Sequence, residues 1–157
     1  MTVLSDAGIL KAIENEDLAI ENFVEKNLTP NGYDLTIAEI MVEGHEKQTS
    51  GIVKIPPKTW FAVSTVEYVK QGAGITSQLW IRTTWARKGI ISSFGKVDAG
   101  FEGTLTLSAY NSSASEVEIP VGDRFAQIVF EWLDSRSEKE YAERSGNYQG
   151  QRGVKLA

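Results

Sequence analysis

Near its start, the chain carries apolar residues at the spacing of an amphipathic helix. Behind two capping residues, Ser5 and Asp6, apolar side chains recur every three or four positions, at Ile9, Leu10 and Ile13. A serine or aspartate at this place accepts hydrogen bonds from the free amides of the first turn. We therefore predict an N-terminal helix within residues 1–16 that ends near Asn15.

After this helix the pattern changes to short runs rich in β-branched and aromatic residues, separated by turn residues. The predicted strands are Tyr33–Val42, Gly51–Ile55, Thr59–Val69, Leu79–Arg82, Gly89–Phe94, Gly103–Tyr110, Val117–Ile119 and Phe125–Leu133. Seven or eight strands at this spacing are typical of a β-barrel or a jelly roll. The predicted fold class is therefore all-β.

Two proline-containing segments mark connections between strands. Pro56-Pro57 does not fit inside a central strand, because proline has no amide to donate. The segment Pro120-Val121-Gly122-Asp123 predicts a turn, since proline fixes φ and glycine accepts positive φ. Without an internal repeat or a low-complexity linker, we expect one domain over residues 1–157. Its polar C-terminal arm, residues 134–157, is expected to be mobile unless something docks on it.

Composition narrows the chemistry that such a domain can carry. Of the 157 residues, 41% are hydrophobic, which is enough for one sizeable core. The absence of cysteine excludes disulfides and thiolate metal sites, and His45 is the single histidine. His45 lies in the acidic stretch EGHEKQTSG, and we interpret it as a surface residue without a role. Catalysis therefore has to use carboxylates, hydroxyl groups, arginine, lysine and an external metal.

Charge argues against two classes of partner and favours a third. The net charge is -5, from 16 Lys plus Arg against 21 Asp plus Glu, so we expect no binding to nucleic acid or to an anionic membrane. With no apolar stretch near about 18 residues and no run of signal-peptide length, a cytoplasmic protein is expected. Residues 68–97, however, contain five Lys or Arg and no acid. An anion would bind in that segment, unless the clustering is chance on a solvated surface.

One part of this basic segment has the features of a phosphate site. A strand ending at Arg82 is followed by a short predicted helix that begins around Thr84. Free amides at a helix start, the hydroxyls of Thr83 and Thr84, and the guanidinium groups of Arg82 and Arg87 all bind phosphate oxygens. The alternative is a plain helix cap with exposed arginines.

A second candidate is an acid on a turn bounded by glycines. Asp98 lies between Gly95 and Gly100, directly before a predicted strand. Loops held by a rigid sheet often carry catalytic groups, although an aspartate near glycine is more often a turn former. In the strand that follows, Ser108 alternates with apolar neighbours and therefore points away from the core.

A resemblance to the dCTP deaminase/dUTPase superfamily rests on three segments in the expected order over residues 82–153: RTTWARKGIISSFGKVDAGFEGTLTLSAYN, VGDRFAQIVF and YAERSGNYQGQRG. The opening LSDAGILKAIE and the stretch NGYDLTI are similar to the start of the dCTP deaminase branch, so the likeness extends over most of the chain. The resemblance implies a distorted, dUTPase-like β-barrel or jelly roll. It also implies a homotrimer with three active sites at subunit contacts, each binding a deoxynucleoside triphosphate with Mg²⁺.

Single residues favour one branch of this superfamily. The deaminases carry a catalytic glutamate where this chain has Ser108, and a hydroxyl cannot shuttle protons near neutral pH. Asp98 matches the aspartate that positions and activates water in dUTPases. Asn147 stands where the deaminases have a triphosphate-binding lysine, and the arm lacks the longer glycine-rich motif of the trimeric dUTPases. The chain thus most resembles the archaeal dUTPases of the dCTP deaminase-like branch.

The resemblance implies hydrolysis of dUTP to dUMP and pyrophosphate, with water attacking the α-phosphorus. Asp98 would orient and deprotonate the water, while Mg²⁺ neutralises the phosphates without a direct protein carboxylate ligand. The implied phosphate-binding residues are Arg82, Thr83, Thr84 and Arg87. The implied nucleotide-binding residues are Phe94, Gly95, Thr106, Gln127, Tyr141 and Gln151. Phe94 equally suits a core, and the alternative for the last three is that they are ordinary polar groups of the surface or an interface.

Two other functions remain open. The first is a dCTP deaminase, alone or combined with dUTPase activity, against which Ser108 argues. The second is a non-catalytic trimer that senses nucleotide, which binding without turnover would identify.

Overall fold

A computed structural model describes residues 2–156, and within this range the chain is mostly β, as the sequence predicts. In chain order the elements are β1 (Thr2–Val3), α1 (Asp6–Glu14), β2 (Leu18–Glu21), a 3₁₀ turn (Glu25–Asn27), β3 (Leu28–Thr29), β4 (Gly32–Val42), β5 (Ile52–Ile55), β6 (Trp60–Thr65), β7 (Tyr68–Gln71), β8 (Ile75–Ile81), α2 (Thr83–Ala86), β9 (Ile90–Ile91), β10 (Lys96–Val97), β11 (Glu102–Gly103), β12 (Thr106–Asn111), β13 (Val117–Pro120), β14 (Arg124–Trp132) and α3 (Tyr141–Arg144). None of the helices in residues 2–156 has the length and apolar character needed to cross a membrane.

The N-terminal helix forms where the sequence predicts it. Ser5 caps α1, because its Oγ accepts a hydrogen bond from the Gly8 amide at 3.2 Å. The helix ends at Glu14 with Asn15 as its cap, and it buries Ile9 and Ala12 against the sheet. The predicted boundary near Asn15 is therefore confirmed.

The largest sheet has the strand order β10-β8-β14-β4-β6-β12-β9, with β1 beside β14 and β3 beside β4. A three-stranded sheet, β11-β7-β2, and a two-stranded sheet, β13-β5, complete the fold. The large sheet curls into a half-barrel around a core of buried aliphatic and aromatic side chains that includes Tyr33, Phe61, Phe125 and Phe130. The all-β fold class is confirmed.

Two long predicted strands are each broken. Thr59–Val69 divides into β6 and β7 at Val66-Glu67, where the Val66 amide bonds to Thr36 O and the chain passes to another sheet. Gly103–Tyr110 divides at Thr104-Leu105 because both amides leave the ladder. Thr104 N donates to Gln151 O at 2.9 Å, and Leu105 N donates to Thr65 Oγ1 at 2.9 Å.

Two other predicted strands have wrong limits. The run Gly89–Phe94 is a strand only at Ile90–Ile91, since the Phe94 ring turns toward Phe125 instead, with ring centroids 6.4 Å apart. Strand β8 begins at Ile75 rather than Leu79, because residues 75–78 pair with residues 129–132 of β14. The short strands β1, β2, β3 and β10 had no signal in the sequence.

The C-terminal arm docks on its own chain at least as far as Lys155, whose amide donates to Thr106 Oγ1 at 3.1 Å. Gly103 and Gln151 form a parallel bridge, and the Gly150 amide donates to Glu102 O at 2.8 Å. Val154 is buried, with 7% of its surface exposed. The arm was expected to be mobile unless something docks on it. Its docking partner is the rest of its own chain.

Candidate functional site

A cavity of about 200 Å³ lies between the Asp98 turn, strand β12 and the C-terminal arm. It is lined by Leu79, Gly95, Lys96, Val97, Asp98, Phe101, Leu105, Thr106, Tyr141, Tyr148 and Gln151. Five of the residues predicted for a site therefore meet here: Gly95, Asp98, Thr106, Tyr141 and Gln151. Among the described residues that line this site cavity, Asp98 is the one acid.

The backbone of Asp98 is fixed, whereas its carboxylate is exposed. The buried side chain of Gln71 donates from Nε2 to Asp98 O at 3.1 Å, and Phe101 N donates to the same oxygen at 3.2 Å. Thr76 Oγ1 donates to Val97 O at 2.9 Å on the preceding residue. Within residues 2–156 the carboxylate makes no hydrogen bond or ion pair, so it does not serve as a turn cap. It is available to a ligand or to water.

The arm closes one side of the cavity through Tyr141. The Tyr141 amide donates to Ala99 O at 3.0 Å, and its ring packs edge-on against Phe101, with centroids 5.5 Å apart. Gly100 permits this approach because it has φ +83°, and a Cβ there would lie 2.5 Å from Cβ of Glu140. The Tyr141 hydroxyl accepts a hydrogen bond from the Tyr148 amide at 3.1 Å, which places a second tyrosine in the lining.

Gln151 joins the arm to Thr104, which lies just before strand β12. Its Nε2 donates to Thr104 O at 2.7 Å, and its own carbonyl accepts from Thr104 N at 2.9 Å. Within residues 2–156 its buried Oε1 has no hydrogen-bond partner. An unsatisfied buried acceptor is costly, so this oxygen is suited to a donor on a bound molecule.

A second cavity, of about 330 Å³, shares Lys96, Asp98 and Tyr141 with the site cavity. Lys139 and Arg144 line it as well, next to Glu140. Lys96 also lies 3.3 Å from the nearly buried carboxylate of Glu131. Lys139 and Arg144 therefore place two cationic side chains beside Asp98, where an extended anion could contact them.

The predicted phosphate segment has the predicted shape. Trp85 anchors α2, because its buried indole donates from Nε1 to Arg124 O at 2.9 Å. Thr83, Thr84 and Arg87 therefore face solvent. Helix α2 has four residues and no side-chain cap, so its dipole is weak. Anion binding here would depend on the hydroxyl and guanidinium groups.

Arg82 has a structural contact that its neighbours lack. Its Nε lies 3.0 Å from Oδ2 of Asp34, and Nη1 of Arg124 lies 3.3 Å from the same oxygen. Burial raises the pKa of Asp34, and the charges of Arg82 and Arg124 oppose that rise. The two arginines share one carboxylate, so the cluster retains a positive charge that faces outward.

Within one chain, the phosphate segment and Asp98 line different cavities. Arg87 lines a cleft of about 710 Å³ together with Gly89, Ser113 and Glu116. Gln127 donates to Thr29 Oγ1 at 2.8 Å. Phe94 lines a cleft with the exposed Trp80, and this cleft shares Leu79, Gly95 and Lys96 with the site cavity. Nine of the eleven predicted site residues thus form two groups on one chain, with Phe94 and Gln127 outside both, rather than a single complete site.

Several residues that line or support the two cavities beside Asp98 were not predicted, above all Gln71, Tyr148 and Arg144. Gln71 acts on a backbone carbonyl far along the chain, for which a sequence has no local pattern. Tyr148 and Arg144 lie in the arm, whose docked path the polar composition did not indicate.

Comparison with known proteins places this geometry in a family. Residues 38–133 match the family model described as dCTP deaminase-like. A dCTP deaminase of Thermococcus kodakarensis is 39% identical over 145 residues, which cover 90% of this chain and 92% of that protein. A probable deoxyuridine 5'-triphosphate nucleotidohydrolase of Sulfolobus islandicus rod-shaped virus 1 is 36% identical, covering 99% of this chain and 98% of that protein.

Among solved structures, the 2'-deoxycytidine 5'-triphosphate deaminase of Agrobacterium tumefaciens has a similar fold, with a TM-score of 0.72 at 16% sequence identity. The match covers 83% of this chain and 48% of that one, so the chain spans about half the length of that structure. The fold, the extent of the family match and the identity to full-length relatives agree. The chain belongs to the dCTP deaminase-like family.

Proposed function

We propose that the protein is a dUTP diphosphatase, which hydrolyses dUTP to dUMP and pyrophosphate. The observation that carries this proposal is the pair Asp98 and Ser108. Asp98 is the one acid among the described residues that line the site cavity. Ser108 is exposed on β12, on the same face as Thr106, where deamination would require a carboxylate.

The proposed reaction needs one base and a fixed geometry. A water oxygen attacks the α-phosphorus, the bond from that phosphorus to the bridging oxygen breaks, and pyrophosphate leaves. The proton of the water passes to the Asp98 carboxylate. The hydrogen bond from Gln71 to Asp98 O fixes the backbone that carries this base. Phosphoryl transfer depends mainly on such positioning and on electrostatic stabilisation.

The substrate would extend across both groups of site residues. Gly95, Thr106, Tyr141 and Gln151 would bind the nucleotide beside Asp98. Arg82, Thr83, Thr84 and Arg87 would bind the phosphates from a neighbouring subunit, since on one chain they line another surface. Phe94 and Gln127 would then lie toward the base or at the subunit contact. We accordingly propose a homotrimer, which light scattering tests; a stable monomer that hydrolyses dUTP would contradict it.

Magnesium fits this site as part of the substrate. Within residues 2–156 no three His, Cys, Asp or Glu side chains come together to hold a metal. Mg²⁺ in phosphoryl-transfer enzymes is commonly bound by substrate phosphates with only one or two carboxylates. The ion would therefore be held by the triphosphate oxygens near Asp98, and when bound it neutralises their charge.

The second candidate function is dCTP deamination, alone or followed by hydrolysis. The name of the T. kodakarensis relative, at 39% identity, favours it. It would require a proton carrier other than residue 108, because a serine hydroxyl does not titrate near neutral pH. A trimer that binds nucleotide without turnover is the remaining alternative.

Separate incubations with dUTP and with dCTP, each with Mg²⁺, test the proposal. We expect pyrophosphate from dUTP and no ammonia from dCTP. Ammonia from dCTP would support the deaminase, and binding of dUTP without either product would support the sensor.

A further inference from the structure

The backbone N–H and C=O of Val154 are each bound by a side chain from another part of the chain. Lys47, in the loop between β4 and β5, donates from Nζ to Val154 O at 2.8 Å. The Val154 amide donates to Oε1 of Glu39 on β4. Lys47 and Glu39 also form an ion pair, with 3.3 Å between Nζ and Oε1. We call the side chains of Glu39 and Lys47, together with the Val154 backbone that they bind, the clasp.

The clasp fits the backbone of the arm closely. Gly153 has φ +69°, and a Cβ there would lie 2.8 Å from Oε1 of Glu39, so a side chain at this position would push the carboxylate away. Thr106 Oγ1 accepts a hydrogen bond from the Lys155 amide at 3.1 Å on the other side of Val154. The side chain of Glu39 is only 15% exposed, which makes it a fixed acceptor rather than a mobile surface group.

The clasped segment continues directly into the lining of the site cavity. Gln151 and Tyr148 precede Val154 on the arm and both line that cavity. Chain termini fray unless they are tied down, and ordering them at the moment of binding weakens affinity. A contact that orders the arm beforehand therefore favours binding without touching the substrate.

We propose that Glu39 and Lys47 are positioning residues for the nucleotide site: by clasping Val154 they fix the arm so that Gln151 and Tyr148 close over the substrate. The proposal rests on the proposed function, because it assumes that a nucleotide occupies the site cavity. The clasp makes no contact with the Asp98 turn among the interactions described, so its loss changes binding rather than the chemical step.

The test compares Lys47→Met with Lys47→Arg and Glu39→Ala. The control is Lys11→Met, since Lys11 is exposed on α1, makes no ion pair within residues 2–156 and lines none of the cavities and clefts described above. Three quantities are measured: the rate of trypsin cleavage after Arg152 without nucleotide, and the KM and kcat for dUTP. Thermal unfolding of each variant confirms that the remainder of the chain is folded.

In Lys47→Met and Glu39→Ala we expect cleavage after Arg152 to accelerate and KM to rise by about tenfold, with kcat within about twofold of the original protein. Lys47→Arg should restore much of both values, and Lys11→Met should change neither. The split between KM and kcat distinguishes positioning from a merely structural role, which would leave both unchanged.

Unchanged cleavage in Lys47→Met and Glu39→Ala would overturn the clasp. Faster cleavage with unchanged KM would overturn its role in nucleotide binding. If the original protein turns over no nucleotide, the proposed function fails, and the affinity for a non-hydrolysable dUTP analogue replaces KM. Equal affinities in the original protein and in all four variants would then overturn the role of the clasp in nucleotide binding.

Discussion

Arg82 Nε lies 3.0 Å from Oδ2 of Asp34, a carboxylate that is only 7% exposed. Arg87, on the same short segment, is exposed and makes no ion pair within residues 2–156. Both arginines were predicted to bind phosphate for the same reason. The structure distinguishes them, because one also supports the fold and the other has its whole guanidinium group available.

This difference predicts that two matched variants change different quantities: Arg87→Lys changes nucleotide affinity, and Arg82→Lys changes the free energy of unfolding. Arg87→Lys should weaken dUTP binding more than dUMP binding, because a lysine point charge does not reproduce a forked contact with phosphate oxygens. Its free energy of unfolding should stay within about 0.5 kcal/mol of the original. Arg82→Lys should lower the free energy of unfolding by about 1–2 kcal/mol, since a charge-assisted bond to Asp34 is lost.

Urea unfolding and nucleotide titration measure both quantities. If Arg87→Lys bound dUTP and dUMP with the same affinities as the original protein does, this segment would not bind the phosphates. An unaltered unfolding energy in Arg82→Lys would show that the Asp34 contact does not stabilise the fold.

Asp98→Asn should separate binding from catalysis. The amide keeps the size of the carboxylate but cannot accept the proton of the attacking water, so the rate should fall by about 100-fold or more. The affinity for dUTP should change little. Asp134→Asn is the control, because Asp134 is exposed and lies outside both cavities that Asp98 lines. Near-normal hydrolysis by Asp98→Asn would exclude this residue as the base.

Glu67 predicts how stability depends on pH. Its side chain is buried, and its Oε2 accepts from the Thr36 amide at 2.8 Å. Burial raises the pKa of Glu67 above its ordinary value. The folded state therefore holds this proton more tightly than the unfolded chain, and the carboxyl destabilises the fold as pH rises from its unfolded to its folded pKa.

Glu67→Gln removes the ionisable group and keeps an acceptor for Thr36. Its unfolding energy should depend less on pH in that window and should equal or exceed the original at neutral pH. Glu67→Leu should cost about 1–3 kcal/mol, because the Thr36 amide is left without a partner. Urea unfolding at a series of pH values measures this dependence. If the free energy of unfolding had the same slope against pH in Glu67→Gln and in the original protein, Glu67 would not be the titrating group.

The sequence predicted the elements whose stabilising contacts lie close together along the chain. Helix α1 formed as predicted because its cap and its apolar spacing lie within a few residues of each other. The break at Thr104 was not predictable, since the Thr104 amide leaves the ladder for Gln151, far along the chain. Asp98, Tyr141 and Gln151 were predicted through family resemblance, whereas Gln71 and Lys47 bind backbone carbonyls that are distant in sequence and leave no motif.

Ser108 tests whether the pocket could support deamination. Because its side chain is exposed, a longer acid should be tolerated in Ser108→Glu without loss of folding. We expect little or no ammonia from dCTP in this variant, since recognition of the base would also have to change. Ammonia release at a rate comparable with dUTP hydrolysis would show that residue 108 alone had prevented deamination.

One competition experiment separates dUTP hydrolysis from dCTP deamination. The protein is given equal amounts of dUTP and dCTP with Mg²⁺, and the nucleotides and ammonia are followed together over time. A dUTP diphosphatase consumes dUTP, forms dUMP and pyrophosphate in equal amounts, leaves dCTP intact and releases no ammonia. Loss of dCTP with ammonia release, whether the product is dUTP or dUMP, would contradict the assignment of Asp98 as a hydrolytic base at a site without deaminase activity.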